Sequence, residues 1–196
     1  MSTAFYHWLV MDVIPFVRFT TYYTSFRGWK YHRGYQKLQT GDIIVVIDTK
    51  KLTSKIIPGK WTHAGLCVDK GEEWEVSEMT HLNYTKSMFF DMCKEAERVA
   101  IYRCRDWDLA YVRDVIVPTC KSFINAAYDV KFTLGVEALY CSELVYESDT
   151  EHRLEVSLAD LADLGRPYIS PTGLTTAKNV DLIWDSANEV SPFVGY

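Results

Sequence analysis

The 196-residue chain lacks the marks of several familiar protein classes. Its five cysteines are an odd number, scattered without a Cys-x-x-Cys pair. That argues against a disulfide framework or a structural zinc site, and for a reducing compartment. No stretch reaches the roughly 18 uncharged apolar residues of a membrane span. The first residues are apolar but have no basic region before them, and Asp12 and Pro15 interrupt the run, so a secretory signal is not expected. A cytoplasmic protein is expected, with peripheral membrane association left open. There is no repeat, no low-complexity stretch and no Gly/Ser/Pro linker. With 48% hydrophobic residues, this length suits one well-cored domain and leaves little room for a second.

What is present is unevenly distributed. The formal net charge is −5, yet Val13 to Lys60 carries nine basic residues against Asp42 and Asp48, a local +7 that leaves −12 for the remainder. Tyr22, Tyr23, Phe26, Trp29, Tyr31 and Tyr35 are interleaved with those bases. Such a mixture suits an anionic partner or membrane surface, or side chains snorkelling over a packed aromatic layer. No recognised nucleic-acid motif accompanies it, which argues against nucleic acid. Phe5, Trp8, Leu9, Val13, Phe16 and Val17 follow helical spacing, although Pro15 should end or kink a helix there. A helix packed on the core is the favoured reading, ahead of a membrane-interface helix and a partner-binding arm. Residues 1–37 are read as an aromatic, basic helical segment, and 38–196 as the remaining domain.

Downstream, turn chemistry and β-branched runs alternate. Gly41-Asp42 turns into Ile43 to Ile47, read as a buried strand. Residues 49–61 form a lysine-rich loop helped to turn by Pro58-Gly59. His63 to Asp69 and Trp74 to Met79 make a hairpin about Lys70-Gly71. Val99 to Cys104 is a strand, and Asp108 to Tyr128 a helical region broken near Pro118. A loop through Thr133-Leu134-Gly135 leads to a helix at Cys141. Ser157-Leu158-Ala159-Asp160 resembles a capping box opening a short helix that Gly165 stops. Asp181 to Trp184 is a last strand. Helices before and after a strand-turn-strand centre give an α+β pattern.

Two residues stand out chemically. Cys141 opens the helix of Tyr140-Cys141-Ser142-Glu143-Leu144-Val145-Tyr146, where unpaired N–H groups and the positive dipole end favour a thiolate. Trp61-Thr62-His63-Ala64-Gly65-Leu66 puts a histidine at the mouth of a strand. Together they are the parts of a cysteine–histidine nucleophile. Alternation puts His63, Gly65 and Cys67 on one strand face and Ala64, Leu66 and Val68 on the other. The second set is the expected core face, with His63 toward the active side and Gly65 leaving space beside it. Glu78 on the partner strand is within reach of the imidazole, to fix its tautomer. Glu75 falls on the opposite face and His81 past the strand end. Asp42 reads as a turn-former, and Cys67, Cys93, Cys104 and Cys120 as buried, inert thiols.

Gly41-Asp42-Ile43-Ile44, Thr62-His63-Ala64-Gly65-Leu66, Val76-Ser77-Glu78-Met79, Tyr128-Asp129 and Tyr140-Cys141-Ser142-Glu143-Leu144-Val145-Tyr146, in that order, resemble the permuted NlpC-type papain-like cysteine hydrolases, YiiX-type branch. The Ser170-Pro171 segment also fits the way such domains end. The resemblance covers roughly 38–185. It implies a circularly permuted papain-like α+β domain, an antiparallel sheet packed on helices. It also implies Cys141 as nucleophile, His63 as general base and Glu78 as the residue that orients it. The expected reaction is hydrolysis of an amide through an acyl-enzyme, with no metal or organic cofactor required. Two alternatives accompany it: a lipid acyltransferase or thioesterase at a membrane surface, and a catalytically silent papain-like binding module. No feature of the sequence specifies an oligomeric state.

Overall fold

The computed structural model describes residues 28–49, 59–161 and 166–190, together with 8, 26 and 57. Apart from Trp8, the expected apolar helix near the start lies outside these residues, as does most of the lysine-rich loop. A six-stranded antiparallel sheet forms the centre, in the order β10-β5-β1-β2-β3-β4. Its strands are β1 (Ile43–Ile47), β2 (His63–Lys70), β3 (Trp74–Thr80), β4 (Asn83–Met88), β5 (Arg98–Cys104) and β10 (Val180–Asp185).

β1 is interior to the sheet, which explains its unbroken β-branched run. Ile43 and Val45 enter one hydrophobic cluster, and Ile44 and Val46 enter another. Both faces of the sheet are therefore covered, which corrects the expectation of a single core face beneath Ala64, Leu66 and Val68. Those three residues do lie in the first cluster, but that cluster also holds the helix carrying Cys141. The Gly65 face is filled too: a Cβ at Gly65 would sit 2.8 Å from Val76 Cγ1 and 3.1 Å from Met92 Cε. Gly65 thus admits packing rather than opening space at the site.

The back face is built from α1 (Trp29–Lys37) and α2 (Phe89–Cys93). Tyr31 stacks on Phe89 at 5.5 Å, and Tyr35 meets Trp74 edge-on at 6.5 Å. Gly34 lets α1 approach β10, its missing Cβ being 3.0 Å from the Trp184 ring. Burying side chains such as Phe89 and Trp184 contributes about 1.5–3 kcal/mol each, so this face is a core and not a thin cover.

The site face carries a longer helical run. It begins with α3 (Leu109–Tyr111), passes through a π-helical turn at Val112–Ile116, and continues as α4 (Val117–Ser122) and a 3-10 turn at Phe123–Asn125. The break expected near Pro118 is instead this π turn, which lies just ahead of the proline. It absorbs the missing N–H and the ring's clash with the preceding turn while the helix continues. The run ends before Tyr128: β6 (Ala127–Tyr128) pairs in parallel with β7 (Ala138–Leu139). Then come α5 (Cys141–Glu147) and α6 (Pro171–Thr175).

The short helix expected after Ser157 is not formed. Ala159–Leu161 (β8) pairs antiparallel with Arg166–Tyr168 (β9). A helix of so few residues hardly repays its nucleation, and Pro167 biases Arg166 toward extended backbone. β4 was not anticipated, because Asn83 to Met88 is a polar edge segment that alternates only weakly.

Candidate active site

α5 begins at Cys141 because three neighbours fix the chain there. Tyr140 is extended and caps the helix, and its hydroxyl accepts the Ile169 N–H at 3.0 Å. Glu143, in the first turn, accepts the N–H of Tyr140 at 3.4 Å and that of Gly135 at 2.8 Å. Ser142 Oγ donates to the Ile169 carbonyl at 2.8 Å. The loop ahead of α5 is held at its other end by Asp129, which accepts from the backbone N–H groups of Lys131 and Thr133 at 2.7 and 2.5 Å.

His63 is held from the other side of the chain. Ser170 caps α6, accepting the Gly173 N–H at 2.8 Å, and Thr172 Oγ1 accepts the Trp61 N–H at 3.0 Å. Thr62 Oγ1 donates to the Val46 carbonyl at 3.2 Å and accepts the Asp48 N–H at 3.0 Å. The segment entering β2 is thereby pinned at Trp61 and Thr62, the two residues just ahead of the first strand residue, which is His63. Glu78 reaches the same place from β3, where it stands opposite Gly65, one position along the shared face from His63.

The structure brings the three expected residues together. His63 Nε2 lies 2.6 Å from Glu78 Oε2, and the imidazole also hydrogen-bonds Cys141. With Nε2 engaged by the carboxylate, Nδ1 is the nitrogen left for sulfur. Cys141 is 2% exposed, and the His63 side chain is 24% exposed, so solvent meets the pair on its imidazole side. Burial alone would raise the Cys141 thiol, but the imidazolium charge, its hydrogen bond and the Ala64 N–H outweigh it and lower the thiol below its ordinary value. Burial likewise opposes the charged histidine, yet the Cys141 sulfur and Glu78 carry it up to about 10. Both shifts have the sign of a thiolate–imidazolium pair.

The other cysteines behave oppositely. Cys67, Cys93, Cys104 and Cys120 are buried and free, and desolvation raises every one of their thiols, Cys104 and Cys120 to about 11. Asp42 lies at the far end of β1 from His63. It is fully buried, accepts Arg103 Nε at 2.7 Å and Nη2 at 2.8 Å, and serves the fold. Glu75 points away from the imidazole, with Lys121 Nζ at 3.8 Å.

Several neighbours were not singled out by sequence. Tyr140 and Tyr168 stack at 5.3 Å and Phe132 leans on both, walling the start of α5. Burial and then the Cys141 charge hold the Tyr128 and Tyr168 phenols well above their usual range, so they stay protonated beside the sulfur. Ser87 on β4 donates to Glu78 Oε1. The Tyr128-Asp129 pair stood in the motif, whereas Ser87 carried no sequence signal because its strand was not recognised.

Helix-borne cysteine, strand-borne histidine and a carboxylate behind it, on an antiparallel sheet, define a papain-like cysteine hydrolase. A family model for permuted papain-like amidase enzymes, YaeF/YiiX, C92 family, matches residues 37–179, and the chain belongs to that family. The fold is similar to the crystal structure of the metalloprotein YiiX from Escherichia coli O157:H7, with a TM-score of 0.65 and 17% identity over 76% of this chain and 97% of that one. No curated protein matches the chain.

Proposed function

We propose that the protein hydrolyses an amide through an acyl-enzyme on Cys141, with His63 as general base and Glu78 holding the imidazole. The carrying observation is the paired shift, thiol down and imidazole up, beside the 2.6 Å His63–Glu78 contact. The sulfur attacks the carbonyl carbon and the S–C bond forms. The backbone N–H of Cys141 faces the developing oxyanion, where one such donor is worth about 3–4 kcal/mol. Imidazolium gives its proton to the departing nitrogen as the C–N bond breaks. Water, deprotonated by the same imidazole, then attacks the thioester; the S–C bond breaks and the acid leaves. Glu78 stays ionised throughout and stabilises the imidazolium.

The YiiX structure is that of a metalloprotein. Among the described residues no group of three or more His, Cys, Asp or Glu is arranged to hold a metal ion, so those residues do not fit such a centre. One feature favours an acyl-bearing substrate. Leu134 and Val136 are exposed on the loop that Glu143 ties to α5, at 38% and 58%.

The test is acid-quenched mass spectrometry with matched aryl amides and esters carrying short or long acyl chains. A Cys141 adduct of acyl mass, absent in Cys141→Ala, is expected, and a preference for long chains would assign the apolar loop to the substrate. Turnover without an adduct at Cys141, or turnover surviving the substitution, would overturn the assignment.

A further inference from the structure

The group that fixes Glu78 lies one strand further out. Glu78 is buried, its side chain only 7% exposed, on the face it shares with Gly65, Val76 and Met92. A carboxylate in such surroundings needs both oxygens occupied to keep its charge. Oε2 faces His63 Nε2, and Oε1 accepts the Ser87 hydroxyl. Ser87 reaches it diagonally across the β3–β4 ladder, in which Glu78 stands opposite Thr85 and Val76 opposite Ser87.

We infer that Ser87 is a positioning residue for catalysis: its hydroxyl locks the Glu78 carboxylate in the orientation that keeps His63 protonated and turned toward Cys141. The inference rests on the proposed Cys141–His63–Glu78 triad. Its physical basis is that a hydrogen bond to the ionised carboxylate favours that form. Without it Glu78 takes up a proton at higher pH. A neutral Glu78 stabilises the imidazolium less, and the thiolate is then lost at higher pH too. The edge strand β4, which the sequence pattern hid, thereby becomes part of the site.

The decisive comparison is Ser87→Thr against Ser87→Val, two β-branched side chains of similar shape that differ in the hydroxyl. Ser87→Ala serves as a third variant should Val impair folding, which circular dichroism would report. The readouts are turnover and the rate of Cys141 alkylation as a function of pH. Ser87→Val should lose about tenfold in kcat with little change in KM, the scale typical of groups that orient a functional side chain from behind. Its acid limb of alkylation should move up by about one pH unit. Ser87→Thr should retain wild-type values of both. If Thr and Val behave alike, Ser87 only packs the strand and the inference is overturned. Glu78→Gln separates the two levels. If it moves the acid limb while Ser87→Val does not, Ser87 alone is misassigned; if Glu78→Gln moves nothing, the triad itself fails.

Discussion

Cys67 lies on β2, four residues after His63, and Cys141 opens the helix that packs against the same strand; both are buried, yet their thiols are driven in opposite directions. Cys67 sits in the back core, where desolvation first, and then the Asp42 and Asp69 charges, raise its thiol and outweigh the opposing pull of Arg103, so it stays protonated. Cys141 is desolvated as well, but it faces an imidazolium and the Ala64 N–H. Burial therefore does not decide thiol chemistry here. The partner within hydrogen-bond reach decides it, and the fold spends α6, Thr62 and Glu78 on placing that partner.

The largest expected effect breaks the comparison outright. Cys141→Ala should bring turnover to background, a loss of at least about a thousandfold, as for other nucleophiles. Cys67→Ala should leave kcat within about twofold while lowering stability by about 1–2 kcal/mol through the cavity it leaves. Steady-state rates and thermal melts on the two proteins check both statements; equal activity losses would erase the distinction. Next comes Glu78→Gln, which keeps the shape and removes the charge. It should cost about a hundredfold in kcat, read from full pH–rate profiles, by weakening the imidazolium and disturbing its orientation.

A smaller effect should appear beside the site, at the glycine that stands opposite Glu78. In Gly65→Ala the new methyl would meet Val76 Cγ1 at 2.8 Å. The substitution should destabilise by about 1–3 kcal/mol, seen as a Tm lower by several degrees. Because Gly65 stands opposite Glu78 in the β2–β3 ladder, the residual folded enzyme should also lose part of its activity, and a variant with the lower Tm but wild-type kcat would show that the crowding stays clear of Glu78.

The smallest effect concerns Glu143. Burial raises its carboxyl to about 8, so the folded protein keeps a proton that the unfolded chain releases near its ordinary value. Its contribution to stability is thus fully present below about pH 4.3 and falls as pH rises toward 8. Glu143→Gln should flatten that slope. The Tm difference between mutant and wild type should grow by a few degrees from pH 5 to pH 8. A constant difference would contradict the buried-carboxyl account.

The same contrast explains how much was legible in sequence. The permutation order, the helix that opens at Cys141 and the strands about His63 and Glu78 could be read because turn residues flank β-branched runs and because the motifs stand in one order. A lone glutamate in a hairpin became informative once strand alternation placed it with His63. What stayed hidden depended on the third dimension. β4 is a polar edge strand whose pairing gives it order, so Ser87 had no periodicity to announce it. The hairpin of β8 and β9 overrode a capping pattern because Ser157 and Asp160 had too little helix to cap. The two-sided burial of the sheet was implicit in Ile43 to Ile47. Gly65 was nonetheless read as space for the site rather than as a seat for Val76 and Met92.

The most direct test of the thiolate–imidazolium pair is the rate of Cys141 alkylation by iodoacetamide from pH 4 to about pH 9, in wild type and His63→Ala, with the adduct located by mass spectrometry. Wild type should react rapidly at Cys141 well below pH 7, and His63→Ala should react only as the thiol titrates at or above the free value of about 8.5. A wild-type rate that rises only near the free-thiol value and is indifferent to His63 would contradict the account.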